Sequence, residues 1–263
     1  MTRDLFSLKD RTVAVIGAGS GIGEAIAVGA AAHGAFVSCL DVDPAKAQAT
    51  ASMIGSEGGV PESDGVDIVD GPWVVRTLGA LAESRGRLDA VICTPSINVR
   101  KPILAYTTEE FERVARVNLL GNFNVLQAAG RIMVEQKAGA IVLFSSIRSL
   151  VTEPGQSVYS MTKAGILQLV RTAATEWGAL GVRVNAVGPG VVETPLTAPI
   201  KAVPDWYNAY ANKNPMQRWA RADEMVGPTL FLISDAASYV TGTILYADGG
   251  WLAADGRFTP PGM

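Results

Sequence analysis

Tyr159 and Lys163 stand four residues apart in the run Tyr159-Ser-Met-Thr-Lys163, and Ser146 precedes the tyrosine by 13 residues. On a helix, a spacing of four puts both side chains on one face. A phenol with a pKa of about 10 is a poor base at neutral pH, but an adjacent ammonium favours phenolate and lowers that value. A serine hydroxyl beside them would hold a substrate oxygen while the tyrosine takes its proton. Three unrelated surface polar residues would show the same spacing. The trio needs company to mean anything.

A second constellation supplies it. Gly17-Ala-Gly-Ser-Gly-Ile-Gly23 follows a β-branched run and opens a helical pattern. Glycines there let the backbone turn sharply and approach a pyrophosphate, whose charge meets the free N–H groups of the helix start. A tight turn alone could use the same glycines, so position between strand and helix carries the weight. Eighteen residues past Gly23, a second apolar run ends in Leu40-Asp41-Val42-Asp43. An acid at that place can bond both hydroxyls of an adenosine ribose and would repel a 2′-phosphate. Asp43 suits the cap of the next helix, which leaves Asp41 for the ribose. No arginine or lysine lies within the glycine loop or just after Asp41. The expected cofactor is NAD rather than NADP.

Other chemistries lack their residues. The only histidine is His33, inside an alanine-rich stretch, so neither a serine–histidine–acid triad nor a histidine metal site is expected. Cys39 and Cys93 each end an apolar run and read as buried small hydrophobes rather than a disulfide or zinc pair. The net charge of −3 offers no basic stripe for nucleic acid. The N-terminal residues are interrupted by charges, and no run approaches the ~20 apolar residues that cross a bilayer. The expectation is a soluble, cytoplasmic protein with no membrane or nucleic-acid partner.

The elements that must position these groups alternate along the chain. Of the 263 residues 48 % are hydrophobic, and mean hydropathy is +0.23, enough for a large core in one domain spanning 1–263. Apolar strand-like runs lie at 12–16, 36–40, 65–68, 89–93, 140–144, 182–187 and 243–247. Helical patterns lie between them at 21–33, 44–54, 72–84, 108–136, 157–177 and 223–234. Strands apolar throughout, separated by helices, make a parallel sheet covered on both faces. The fold class is α/β, a three-layer doubly wound (Rossmann) fold with a seven-stranded parallel sheet and its ligand beyond the C-terminal strand ends. One long irregular stretch, 188–217, carries five prolines with Trp206, Tyr207 and Tyr210 and reads as a substrate lid. The last residues, about 252–263, read as an exposed tail.

With these motifs in order, the sequence resembles the short-chain dehydrogenase/reductase family from about Leu8 to Trp251. The Gly17-x-x-x-Gly21-x-Gly23 loop is similar to that family's cofactor motif, with Ile16 in place of its usual threonine. Val66-Asp67-Ile68 resembles the segment that meets the adenine. Val117-Asn118-Leu119 resembles the active-site asparagine segment, and Ser146 with Tyr159-x-x-x-Lys163 the catalytic serine and tyrosine–lysine pair. Asn185-Ala-Val-Gly-Pro-Gly190 with Val192 and Thr194 resembles the part that binds the nicotinamide carboxamide. Tyr239-Val-Thr-Gly242 and Asp248-Gly-Gly250 resemble the closing strand.

The resemblance implies NAD-linked oxidation of a secondary alcohol to a ketone, reversibly. It assigns Tyr159 as acid/base, Ser146 as anchor of the substrate oxygen, Lys163 to the tyrosine pKa and nicotinamide ribose, and Asn118 to a water in the proton relay. It implies cofactor contacts from Gly17, Ser20, Gly21, Ile22, Gly23, Asp41, Asp67, Ile68, Thr94, Tyr159, Lys163, Val192 and Thr194, with no metal. It also implies a homotetramer or homodimer, paired through the helices near 108–136 and 157–177. One departure stands out: Cys93-Thr94-Pro95-Ser96 replaces the family's Asn-Asn-Ala-Gly. Pro95 removes a backbone donor, Ser96 lacks glycine's freedom, and Thr94 could supply a replacement hydroxyl. An NADP-linked 3-oxoacyl-thioester (acyl carrier protein) reductase and a dinucleotide-sensing binding protein are the alternatives. The chain is too short for the larger substrate domain of a nucleotide-sugar epimerase. The small-molecule substrate is unassigned, although Arg148, Ser149, Glu153 and Gln156 between serine and tyrosine, and Lys201 and Lys213 in the lid, hint at a hydroxylated or carboxylated one.

Overall fold

All five residues of Thr12–Ile16 (β1) are buried, and they divide by parity between two cores. Ala14 and Ile16 join one cluster, Val13 and Val15 the other, as the alternation of a strand covered on both faces requires. The computed structural model describes residues 4–254; of the expected tail at about 252–263, Ala253 and Ala254 are exposed, and 255–263 lie outside the described residues. Around β1 are Phe36–Asp41 (β2), Val60–Gly65 (β3), Ala90–Cys93 (β4), Gly139–Phe144 (β5), Val182–Pro189 (β6) and Ile244–Ala247 (β7). The sheet order is β3-β2-β1-β4-β5-β6-β7, and every pairing is parallel. The chain leaves β1 for one neighbour, β2, and returns later to the other, β4. That reversal opens a crevice at the C-terminal strand ends.

Gly21–Ala32 (α1) and Pro44–Ser56 (α2) cover one face, with Ile26 and Ala51 packed among Val37, Cys39 and Val142. Gly71–Arg85 (α3) covers the other, with Val74 and Leu78 among Leu143 and Val184. Cys39 and Cys93 belong to opposite clusters and are free, buried thiols. Asp43 caps α2 as expected, its Oδ1 accepting from the Ala45 amide at 3.1 Å.

Three expectations need correction. The third strand runs over Val60–Gly65, not 65–68. It is an edge strand paired only with β2, polar and alternately exposed, and it tolerates Pro61 for that reason. The apolar Val66 and Ile68 are buried just past its end. The helical region 108–136 is two helices, Thr108–Ala115 (α4) and Asn122–Gln136 (α5), joined by a π-helical turn at Arg116–Gly121. The following helix is Ser157–Trp177 (α6).

The segment 188–217 is not irregular throughout. It holds two short helices, Ala198–Lys201 (α7) and Pro204–Ala211 (α8), behind a 3₁₀ turn at Pro195–Thr197. Pro195, Pro199 and Pro204 all fall in first turns, where the missing N–H costs nothing. The prolines start helices here rather than prevent them. Ile200, Tyr210 and Ala211 pack with Ile147, Trp219 and Trp251 into a third apolar cluster. Val226–Ile233 (α9) completes the layer over α1. Among the described residues no helix is long and apolar enough to cross a membrane, and no acid, histidine or cysteine cluster could hold a metal.

Candidate active site

The glycine loop hangs from the end of β2: the Gly17 and Ala18 amides donate to the Leu40 carbonyl at 2.7 and 3.0 Å. It turns so tightly that a Cβ on Gly23 would lie 2.0 Å from the Gly17 carbonyl oxygen. Ser20 precedes α1 without its side chain capping the helix, so the opening amides of α1 are left for a ligand. The Asp41 carboxylate accepts from the Gly19 amide at 2.9 Å and from the Asp43 amide at 3.0 Å. Gly19, absent from the predicted cofactor set although inside its motif, is required there: a Cβ would stand 2.8 Å from Asp41 Oδ2.

A cavity of about 480 Å³ opens against this loop, and Gly17, Ser20, Gly21, Ile22, Gly23, Asp41, Asp67, Ile68, Thr94 and Thr194 line it. Val192, predicted with them, does not. Its side chain is in the core, and its backbone bridges to Ala220. Thr94 Oγ1 donates to the Ile16 carbonyl at 3.0 Å, bracing the last residue of β1. Ser96, where a glycine was expected to be preferred, does not have positive φ, and its hydroxyl is buried in the wall beside the Tyr159 phenol. A cradle that side chains would fill, uncapped helix amides and a carboxylate at the β2 end together fit a dinucleotide.

A second cavity, about 390 Å³, meets the first at Leu196, which lines both. Ser146 and Tyr159 line it with Asn98, Arg100, Arg148, Gln156, Trp206 and Tyr210. Ser146 ends the β5 connection at the head of a 3₁₀ turn, where its Oγ accepts from the Arg148 amide at 3.1 Å. Tyr159 sits in the first turn of α6, and Lys163 one turn on is 2 % exposed. The Lys163 ammonium donates to the Phe144 carbonyl at 2.8 Å and lies 5.5 Å from the Tyr159 ring centre.

The pKa expectation for this pair needs correction in the ligand-free site. Burial pushes the Tyr159 phenol above its ordinary value; the Ser146 hydroxyl, the Arg148 charge and Ser96 only oppose that rise. Burial also brings Lys163 down to about 8. Desolvation outweighs the neighbouring cations.

Asn118 stands in the π turn, fully buried, and its side chain is committed. Oδ1 accepts from the Ile97 amide at 2.9 Å, while Nδ2 donates to the Ile97 carbonyl at 2.9 Å and to Thr162 Oγ1 at 3.1 Å. Its amide protons have none to spare for a relay water. A relay water would have to donate to an oxygen, Oδ1 or the main-chain carbonyl that accepts from Asn122 Nδ2 at 3.0 Å, since each has two lone pairs.

Sequence reasoning missed Arg100 and Thr162. Arg100 reaches Glu153 from 53 positions away, and Thr162 lies inside the Tyr-x-x-x-Lys run as one of its unspecified residues. Glu153 accepts from Arg100, Arg148, Gln156 and the Tyr210 hydroxyl. Burial alone would raise its pKa, but those donors prevail and hold the carboxyl below its usual value. Of the lid aromatics, Trp206 and Tyr210 face the cavity, while Tyr207 stacks on Trp219 with centroids 5.0 Å apart.

Comparison with known proteins agrees with this architecture. A family model described as Enoyl-(Acyl carrier protein) reductase matches residues 17–252. Gluconate 5-dehydrogenase of Gluconobacter oxydans is 31 % identical over 247 residues, covering 94 % of this chain and 96 % of that one. The (3R)-3-hydroxyacyl-CoA dehydrogenase of Mus musculus is 36 % identical over 253 residues, covering 92 % and 96 %. A gluconate 5-dehydrogenase from Burkholderia cenocepacia, solved with NADP and tartrate, superposes with a TM-score of 0.92 at 29 % identity, covering 95 % of this chain and 98 % of that one. NADP is named in the structures of two further neighbours. With glycine loop, serine, tyrosine and lysine at one crevice of a seven-stranded parallel sheet, the chain belongs to the short-chain dehydrogenase/reductase family of nicotinamide-dependent oxidoreductases.

Proposed function

We propose that this protein interconverts a secondary alcohol and a ketone with NAD. The observation that carries the reading is the shared wall: Ser146 and Tyr159 line a cavity that meets the glycine-loop cavity at Leu196. A bound nicotinamide supplies the hydride acceptor or donor. The Ser146 hydroxyl holds the substrate oxygen, and the Tyr159 phenol gives or takes its proton. Lys163, one turn along α6, places a cation where negative charge develops on the phenol and the substrate oxygen. Asn118 ties the segment after β4, at Ile97, to α6 through Thr162, which positions the tyrosine. Holding substrate and cofactor in adjoining pockets provides the proximity that the reaction needs.

The choice of NAD rests on charge. The cavity against the glycine loop is lined by two carboxylates, Asp41 and Asp67, and by no lysine or arginine. A 2′-phosphate would meet repulsion from them, while Lys46, packed beside Gly19, has its ammonium 3.7 Å from Asp43. NADP is the second reading, favoured by the neighbours solved with it. Reduction of a 3-oxoacyl thioester is a second substrate reading, favoured by the description of the family model and the mouse relative. We further propose a cytoplasmic homo-oligomer. Phe111, Leu120, Phe123 and Met161 are exposed on α4, the π turn, α5 and α6, the elements expected to pair.

The test is NADH formation from NAD⁺, and separately NADPH formation from NADP⁺, across polyols, hydroxy acids, cyclic alcohols and 3-hydroxyacyl thioesters. Turnover of a secondary alcohol with NAD⁺ preferred is the expected result. No turnover of any alcohol or ketone with either cofactor would overturn the reading.

A further inference from the structure

The two cavities differ in the sign of their walls. The glycine-loop cavity carries carboxylates and no cation, whereas the cavity holding Ser146 and Tyr159 carries Arg100 and Arg148 and no carboxylate. The acid that neutralises these arginines, Glu153, stands outside the lining and serves both of them. Two guanidiniums against one carboxylate leave one positive charge in the wall.

Arg148 is the less ordinary of the pair. Its side chain is 4 % exposed, and Nη2 donates to Glu153 Oε2 at 2.7 Å. Nη1 is buried and has no partner. A guanidinium removed from water needs its donors met, and an arginine left half-met in a cavity wall is a place for an incoming acceptor. Asn98 Oδ1 is likewise buried in this wall without a partner and suits a hydroxyl donor. Arg148 is also two residues from Ser146, and its own amide donates to that catalytic hydroxyl. The group that satisfies the guanidinium and the oxygen held by Ser146 must therefore belong to one small molecule.

We propose that the substrate is a hydroxy acid: a secondary alcohol bearing one carboxylate, which Arg148 and Arg100 bind, with further hydroxyls reaching Asn98 and Gln156. A single excess charge matches a monoanionic carboxylate better than a phosphate dianion, and a planar guanidinium fork matches carboxylate geometry. The tie of Glu153 to the Tyr210 hydroxyl links the same cluster to lid helix α8, so carboxylate binding and lid position share one set of contacts. This inference rests on the oxidoreductase reading for the oxidised carbon but not for the anion site itself.

Two measurements separate those layers. The first is kcat/KM with NAD⁺ for sugar acids, for the polyols of the same carbon skeleton and for the matching sugar phosphates, in the wild type, Arg148→Gln, Arg148→Lys and Arg100→Gln. The acid is expected to exceed the polyol and the phosphate at least tenfold. Arg148→Gln is expected to reduce kcat/KM for the acid at least tenfold more than for the polyol, with partial recovery in Arg148→Lys. The second is calorimetric binding of propionate, an unreactive monocarboxylate, which is expected to weaken at least tenfold in Arg148→Gln. Oxidation of polyols as fast as acids, or of phosphates in preference to acids, overturns the carboxylate assignment and leaves the oxidoreductase reading standing. Propionate binding that needs Arg148, in a protein that oxidises no alcohol, supports the anion site and overturns the oxidoreductase reading instead. An unfolded Arg148→Gln is recognised by its circular dichroism, and Arg100→Gln then decides: an unchanged acid-to-polyol ratio in that variant overturns the proposal.

Discussion

The Asp41 carboxylate and the Gly19 amide are joined by a 2.9 Å hydrogen bond, so the acid ending β2 is fastened to the loop that opens α1. Its charge is held at the cavity wall rather than free to swing away. NAD⁺ should therefore bind at least about tenfold tighter than NADP⁺, since a fixed like charge beside a 2′-phosphate costs more than ~1 kcal/mol in partly buried surroundings. Asp41→Ala should narrow that gap. Calorimetric titration of both cofactors measures it, and equal affinities in the wild type would contradict the assignment.

Asn118→Ala removes three side-chain hydrogen bonds and leaves the Ile97 amide, the Ile97 carbonyl and Thr162 without that partner. Buried groups left unmet cost about 1–3 kcal/mol each, so a loss of roughly 2–4 kcal/mol of stability is expected, less where water enters. Urea denaturation measures it. Activity should fall as well, because the π turn no longer braces α6. A variant as stable as the wild type would show that the clamp carries no weight.

That clamp shows where sequence legibility ends. Thr12–Ile16, the glycine loop, Asp41 and the Tyr159–Lys163 pair declare themselves through local spacing, because each works within one strand, turn or helix. The π turn does not. The asparagine within it is bonded to residues 21 and 44 positions away, contacts that no local spacing announces. β3 was misplaced because an edge strand needs no apolar run. Five prolines make 188–217 look irregular in the sequence, yet Pro195, Pro199 and Pro204 stand at helix or turn starts, where the missing N–H is harmless. Arg100 was invisible because its pairing with Glu153 spans 53 residues.

Lys163 gives the protein a pH signature. Its pKa falls from 10.5 to about 8 on folding, so between those values the unfolded chain binds more protons than the native one. Stability should rise with pH from about 8, at up to about 1.4 kcal/mol per unit for one proton. Above about 9 the buried Cys39 and Cys93 thiols, both pushed up to about 12, contribute the opposite slope. Denaturant midpoints measured at close pH steps should show the rise between 8 and 9, and Lys163→Met should abolish it. A wild-type profile that falls from pH 8 onward would contradict the burial argument.

The lid is packed by Tyr210, Trp219 and Trp251 and tied to Glu153 through the Tyr210 hydroxyl. Tyr210→Phe should speed amide exchange in 204–211 in the free protein. Protection across 195–215 should rise when cofactor and a substrate analogue are both bound. Equal protection in free and bound protein would show fixed structure and no closure.

The central claim is that Tyr159 carries the substrate proton. Tyr159→Phe keeps the ring, its place in the first turn of α6 and its contact with the second cavity, and removes only the hydroxyl. The decisive measurement is kcat of this variant on the best alcohol substrate, alongside its calorimetric affinity for NAD⁺. Turnover should fall by at least about two orders of magnitude, the lower range for a positioned acid/base, while NAD⁺ affinity stays within about threefold, since the glycine loop and Asp41 are untouched. Near-normal turnover in Tyr159→Phe would place the chemistry elsewhere.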